Sequence, residues 1–185
     1  SSNPSRRAFL YQSSLASLGV LVAGKSALAM NPFQSKPNSF IKGVQIGVIT
    51  YSFRSLPGHP DKLLQYCIDS NINAIELKGD EVEDYLGKPV NTVKMPQRVP
   101  GQPRPELSEE AKVQMQQYRQ QVAAWRESVS MDKFEEIRKK YNAAGVNIYA
   151  FKPNALAPEN TDGEISYALR AAKALGATSV TVELP

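Results

Sequence analysis

Four charged residues, Glu76, Lys78, Lys152 and Glu183, close three short alternating runs, and together they offer acid–base and oxygen-binding chemistry. The runs are Ala74-Ile75-Glu76-Leu77-Lys78, Ile148-Tyr149-Ala150-Phe151-Lys152 and Ser179-Val180-Thr181-Val182-Glu183. Side chains alternate faces along a strand. The pattern therefore predicts Ile75/Leu77, Tyr149/Phe151 and Val180/Val182 beneath a helical layer, and it places Glu76, Lys78, Lys152 and Glu183 together on the opposite face. Carboxylates in such a place can move protons. Ammonium groups can grip phosphate, carboxylate or hydroxyl oxygens.

Each run follows an amphipathic helical pattern and a stop residue, Asn71, Gly145 or Gly176. The stripes are Leu63, Leu64, Cys67 and Ile68, then Phe134, Ile137, Tyr141 and Ala144, then Ile165, Ala168, Leu169 and Ala172. The continuous apolar run 44–53 reads as a further strand, buried on both faces. Alternating strands and helices of this kind predict an α/β fold with a parallel sheet, whose active site lies at the C-terminal strand ends. Residues 79–106 hold five prolines and predict irregular chain over the mouth, a candidate lid. A Gln-rich helix capped by Ser108 follows, with a seam of Ala111, Met115, Tyr118, Val122 and Trp125. A barrel of eight βα units takes about 250 residues. Four units predict the N-terminal part of a longer chain, or a sheet completed by association in a homo-oligomer.

The net charge of +4 does not point to nucleic acid, because Arg6, Arg7 and Lys25 lie in residues 1–29, which hold no acid. The remainder is close to neutral and carries no basic stripe interleaved with aromatics. Cys67 is the single cysteine, so no internal disulfide can form. Its place on an apolar stripe predicts a small buried hydrophobe. His59, the single histidine, is read as a turn residue. The N-terminus reads as an export leader: Arg6-Arg7-Ala8-Phe9-Leu10, a short apolar core from Ser13 to Ala23, and Ala27-Leu28-Ala29 for cleavage. The paired arginines resemble a twin-arginine signal. Expected organisation is thus signal 1–29, linker 30–42, and an α/β domain 43–185 with an insertion at about 80–130. The product would be periplasmic, without a stable membrane span.

Several motifs, in this order, resemble a known group: Gly43-Val44-Gln45-Ile46-Gly47-Val48, Ala74-Ile75-Glu76-Leu77-Lys78-Gly79, Tyr149-Ala150-Phe151-Lys152-Pro153 and Ala171-Ala172-Lys173-Ala174-Leu175-Gly176-Ala177. They resemble the xylose isomerase-like TIM barrel superfamily, and within it the exported bacterial sugar phosphate isomerase/epimerase group. The run 125–134 (WRESVSMDKF) is similar to that exported group in particular. The resemblance implies a (βα)8 TIM barrel, of which this chain holds about four units with a helical insertion after the second strand. It also implies a divalent metal (Mn, Mg, Zn or Co) at the mouth, with most ligands beyond residue 185. The chemistry implied is proton transfer beside a carbonyl of a sugar or sugar phosphate, incomplete in this segment alone.

On that resemblance Glu183 is the candidate metal ligand, or else a solvated or lysine-paired strand end. Glu76 is the candidate catalytic base, or one half of a structural ion pair. Lys78 and Lys152 are candidate substrate contacts or plain rim charges. Tyr51, with Phe53, can form an apolar wall under a sugar ring or simply pack in the core. Two other readings stay open: a lyase or hydrolase acting on oxidised sugars, and a non-catalytic carbohydrate-binding barrel.

Overall fold

The computed structural model describes residues 35–96, 101, 103 and 105–182. The expected leader residues Arg6, Arg7, Ala27 and Ala29, and the candidate metal ligand Glu183, lie outside the described residues.

Among the described residues six strands run in chain order: β1 (Phe40–Ile41), β2 (Val44–Gln45), β3 (Val48–Ile49), β4 (Ala74–Lys78), β5 (Asn147–Lys152) and β6 (Ser179–Val180). The first two pair as an antiparallel hairpin. The other four form one sheet in the order β3-β4-β5-β6, and every pairing in it is parallel. Parallel neighbours need crossovers. These are supplied by α1 (Pro60–Asp69) before β4, by α2 (Gly79–Tyr85), α3 (Glu109–Ser128) and α4 (Asp132–Ala143) before β5, and by α5 (Asp162–Leu175) before β6. The fold is mixed α/β with a four-stranded parallel sheet, an arrangement compatible with part of an α/β barrel.

The three stop residues behave alike. Asn71, Gly145 and Gly176 all take left-handed backbone, with φ of 55°, 83° and 75°, which ends a helix and turns the chain into the next strand. Helix starts follow their side chains. Ser108 accepts from the Ala111 N–H at 3.2 Å, and Thr161 forms a reciprocal capping box with Glu164. Leu63, Leu64 and Cys67 of α1, Phe134, Ile137 and Tyr141 of α4, and Tyr167, Ala168 and Ala171 of α5 bury against Ile75, Leu77, Ile148 and Phe151 of the sheet.

Four expectations are corrected. The run 44–53 is not one strand. Lys42 and Gly43, with φ of 49° and 84°, make the two-residue turn of the β1–β2 hairpin, so residues 40–41 of the expected linker are paired chain. Ser39 pins this hairpin to the start of β4, its N–H donating to Asn73 Oδ1 at 3.1 Å. Second, 79–106 is not wholly irregular: α2 starts directly after β4, helped by Asp80 and Glu81 in its first turn, and the prolines begin only at Pro89.

Third, Ile165 and Leu169 on α5 are 37% and 56% exposed, while Glu164, Tyr167 and Ala171 are buried. The helix is rotated because Glu164 and Tyr167 join a buried polar cluster described below. Fourth, the register of β4 with β5 shifts between Ile75 and Glu76, so that Ile75 pairs with Ile148 but Glu76 with Ala150. Tyr149 is the extra residue of this bulge, and simple alternation misplaced it under the helices.

Candidate functional site

The C-terminal ends of β3, β4 and β5 enclose a cleft of about 460 Å³, lined by Ile49, Thr50, Tyr51, Glu76, Lys78, Asp80, Lys152 and Asn154. The described candidates Glu76, Lys78, Lys152 and Tyr51 therefore meet in one place. Local geometry explains how. Thr50 ends the β3–β4 ladder by substituting its side chain for backbone. Its hydroxyl donates to the Glu76 carbonyl at 2.9 Å and accepts from the Lys78 N–H at 3.1 Å. The chain then coils into a short 3-10 turn, Thr50–Phe53. Tyr51 thus stands on that turn, not on a strand as its position suggested, and it is 58% exposed. Arg54 lies over its ring, 4.8 Å from the centroid.

Glu76 is half-buried, and a carboxylate in that position needs a partner. One is a residue that sequence reasoning did not single out: Thr181, just past β6, donates its hydroxyl to Glu76 Oε1 at 3.0 Å. Tyr149, the bulge residue, is a second neighbour. Burial first, and then the nearby Glu76 charge, push its phenol above the ordinary tyrosine range.

At the rim, Lys78 Nζ meets Asp80 at 2.8 Å, and Asn154 donates its amide to the same Asp80 carboxylate. Close approach of β4 and β5 makes this contact, and Gly79 permits it. A β-carbon there would lie 3.1 Å from the Lys152 carbonyl oxygen and 3.2 Å from Pro153 Cα. Asp80 and Asn154 carry no spacing signal; the Gly79 that follows Lys78 was the only trace of them in the sequence.

Behind that pair lies a second hollow of about 290 Å³, shared among α2, α3, α5 and the loop after β5. On its wall is the buried cluster that rotates α5. Arg126 donates from Nε and Nη2 to the two oxygens of Glu83, at 2.9 and 3.1 Å, and from Nη1 to Glu164 at 2.8 Å. The Tyr167 hydroxyl donates to Glu83 at 3.1 Å, and Lys88 Nζ approaches it at 3.3 Å. Glu83 is fully buried, and Arg126 and Glu164 nearly so. Burial alone would raise the Glu164 carboxyl, but bonds from Asn160, the Thr161 N–H and Arg126 hold it below the ordinary range. The sequence carried one hint of this cluster: Arg126 falls one turn after Val122, on a stripe otherwise apolar.

The remaining polar candidates have structural roles. Cys67 is fully buried, and burial pushes its thiol up to about 12, so it is no nucleophile at neutral pH. His59 caps α1, its Nδ1 accepting from the Asp61 N–H at 3.3 Å. A divalent cation requires several oxygen or nitrogen donors around one point. Within the cleft the described acids are Glu76 and Asp80, and Asp80 is bound to Lys78. No group of three or more His, Cys, Asp or Glu side chains converges among the described residues. The described residues by themselves do not fit the metal that the resemblance implies. Among them, too, no helix is long and apolar enough to cross a membrane.

No family model matches the chain, and neither a curated protein nor a solved structure matches it.

Proposed function

We propose that this chain is part of a TIM-barrel sugar isomerase or epimerase, and that the 460 Å³ cleft is its sugar site. The observation that carries the reading is the meeting of Glu76, Lys78, Lys152 and Tyr51 at the C-terminal ends of parallel strands, where α/β folds place their ligands. Glu76, oriented by the Thr181 hydroxyl, takes and returns a proton beside a carbonyl. Lys78 and Lys152 hold the neighbouring sugar oxygens, and the exposed face of Tyr51 covers the ring. Sequential strand order β3-β4-β5-β6 and the motif resemblance to the xylose isomerase-like superfamily support the barrel. Export to the periplasm through the paired Arg6 and Arg7 belongs to the same reading. Replacing both by lysine should hold the protein inside the cell, and undiminished export removes that part.

Titration with aldoses and ketoses, followed by amide NMR shifts, tests the site. Resonances of Tyr51, Glu76, Lys78 and Lys152 should move together, and Lys152→Ala should weaken binding about tenfold. Binding that leaves these four unperturbed overturns the assignment. The chemistry is read separately, as deuterium uptake at the sugar carbon beside the carbonyl in the whole protein. Binding without exchange, unaltered by Glu76→Gln, makes the protein a carbohydrate-binding barrel instead.

A further inference from the structure

The cleft and the second hollow share a boundary. Asp80 and Asn154 line both. Their contact forms a ridge, not a closed wall: the Asp80 side chain is 40% exposed, and Asn154 is exposed. A ligand seated in the first compartment can therefore lie across the ridge into the second.

Charge decides what kind of ligand fits. In the first compartment Lys78 and Lys152 face Glu76 and Asp80. In the second, Lys88, Arg119 and Arg126 are matched by Asp80, Glu159 and Glu164. Asp80 is shared by both, and the cation this leaves over is offset by Glu83 and Asp84, which pair with Arg126 and Lys88 from behind. The strongest cation is also turned away: Arg126 spends its fork on Glu83 and Glu164. Lys88 is held by Glu83 at 3.3 Å and Asp84 at 3.0 Å. A phosphate dianion needs a cationic excess or a row of free N–H donors, and neither compartment presents the excess. What the second compartment does offer is the ring of Tyr118, the exposed guanidinium of Arg119, the amide of Asn154 and the carboxylate of Glu159. A half-buried aromatic among mixed donors and acceptors suits a ring bearing hydroxyls.

Resting on the reading of the first compartment as a sugar site, we propose that the ligand is an uncharged saccharide of two rings. One ring sits over Glu76 and Tyr51. The other lies beyond the Asp80–Asn154 ridge, against Tyr118 and Arg119 of α3. The helical insertion after the second sheet strand thus supplies the second subsite, and the specificity of the site is for a disaccharide or glycoside over a sugar phosphate.

The test is calorimetric titration of the full chain with glucose, glucose 6-phosphate, maltose, cellobiose and lactose under one buffer. At least one disaccharide should bind about tenfold tighter than glucose, and glucose 6-phosphate no tighter than glucose. Tyr118→Ala should erase the disaccharide advantage while the affinity for glucose stays. Arg119→Ala, a surface change that leaves the core untouched, should reduce the same advantage if Tyr118→Ala perturbs folding. Equal affinity for glucose and every disaccharide overturns the proposal and leaves the first compartment's assignment standing, as does preferential binding of glucose 6-phosphate. Failure of all these saccharides to bind removes the underlying reading along with it.

Discussion

Replacing Arg126 by methionine tests the buried cluster most directly. The change keeps an unbranched side chain of similar reach and removes three hydrogen bonds, two to Glu83 and one to Glu164. Breaking a buried pair from one side costs about 3–5 kcal/mol, because the partner charge is left in a poorly solvated place. Glu83 keeps the Tyr167 hydroxyl and Lys88, so the low end applies, about 3 kcal/mol. For a chain of this size that corresponds to a fall in Tm of about 6–12 °C. Urea unfolding followed through Trp125 fluorescence measures it. Trp125 is the sole tryptophan, and its ring stands 6.2 Å from that of Tyr167, edge to face.

A second substitution separates charge from packing. Adding Glu83→Gln to Arg126→Met should recover much of the loss, since the uncompensated carboxylate is gone. The pH profile should change too. Glu164 titrates below its ordinary value of 4.5, so in the wild type its contribution is full above that value and is lost as pH falls through the lowered one. Arg126→Met raises the Glu164 value and should flatten that acid limb. An Arg126→Met loss below about 0.5 kcal/mol, against the range for broken buried pairs, would refute the reasoning. So would a loss that Glu83→Gln does not relieve.

Three further outcomes are expected. Gly79→Ala should destabilise by about 1–3 kcal/mol through overpacking against rigid backbone and should disturb the Asp80–Asn154 contact. If the alanine stabilises instead, as helix propensity alone would have it, that close approach is absent. Cys67 should resist a thiol reagent in the folded protein and react fully in denaturant; rapid reaction of the native chain would contradict its burial. Glu81→Gln should stabilise at neutral pH, because Glu81 Oε2 is buried without a hydrogen-bond partner and burial raises its carboxyl. A raised value means the wild type loses stability as pH rises through it. The gain from Gln should therefore vanish in acid, and a gain independent of pH would point to some other cause.

Much of the frame was written locally and could be read from residue types alone. Asn71, Gly145 and Gly176 each end a helix because left-handed backbone is available to them at low cost. Ser108 and Thr161 start helices because their hydroxyls accept from backbone N–H groups two or three residues on. Alternation brought Glu76, Lys78 and Lys152 to one face, because the strand period is two wherever the ladder is regular. These are short-range rules, and they sufficed for the parallel α/β frame and for the main members of the cleft.

The rest depended on contacts between distant segments. One extra residue in β5 moved Tyr149 toward Glu76, and no local pattern records a bulge. Thr50 exchanged backbone pairing for side-chain bonds to Glu76 and Lys78, which lifted Tyr51 off the sheet. Glu83, Arg126 and Glu164 look like solvated helix charges when read one helix at a time. Only their convergence makes burial tolerable, since each supplies the counter-charge the others need in a medium that solvates ions poorly. The sequence by itself determined where helices stop and which strand side chains share a face. Tertiary structure alone decided which charges pair, how far α5 rotates, and that Asp80 and Asn154 line two neighbouring hollows, because electrostatic pairing and packing act across space without regard to distance along the chain.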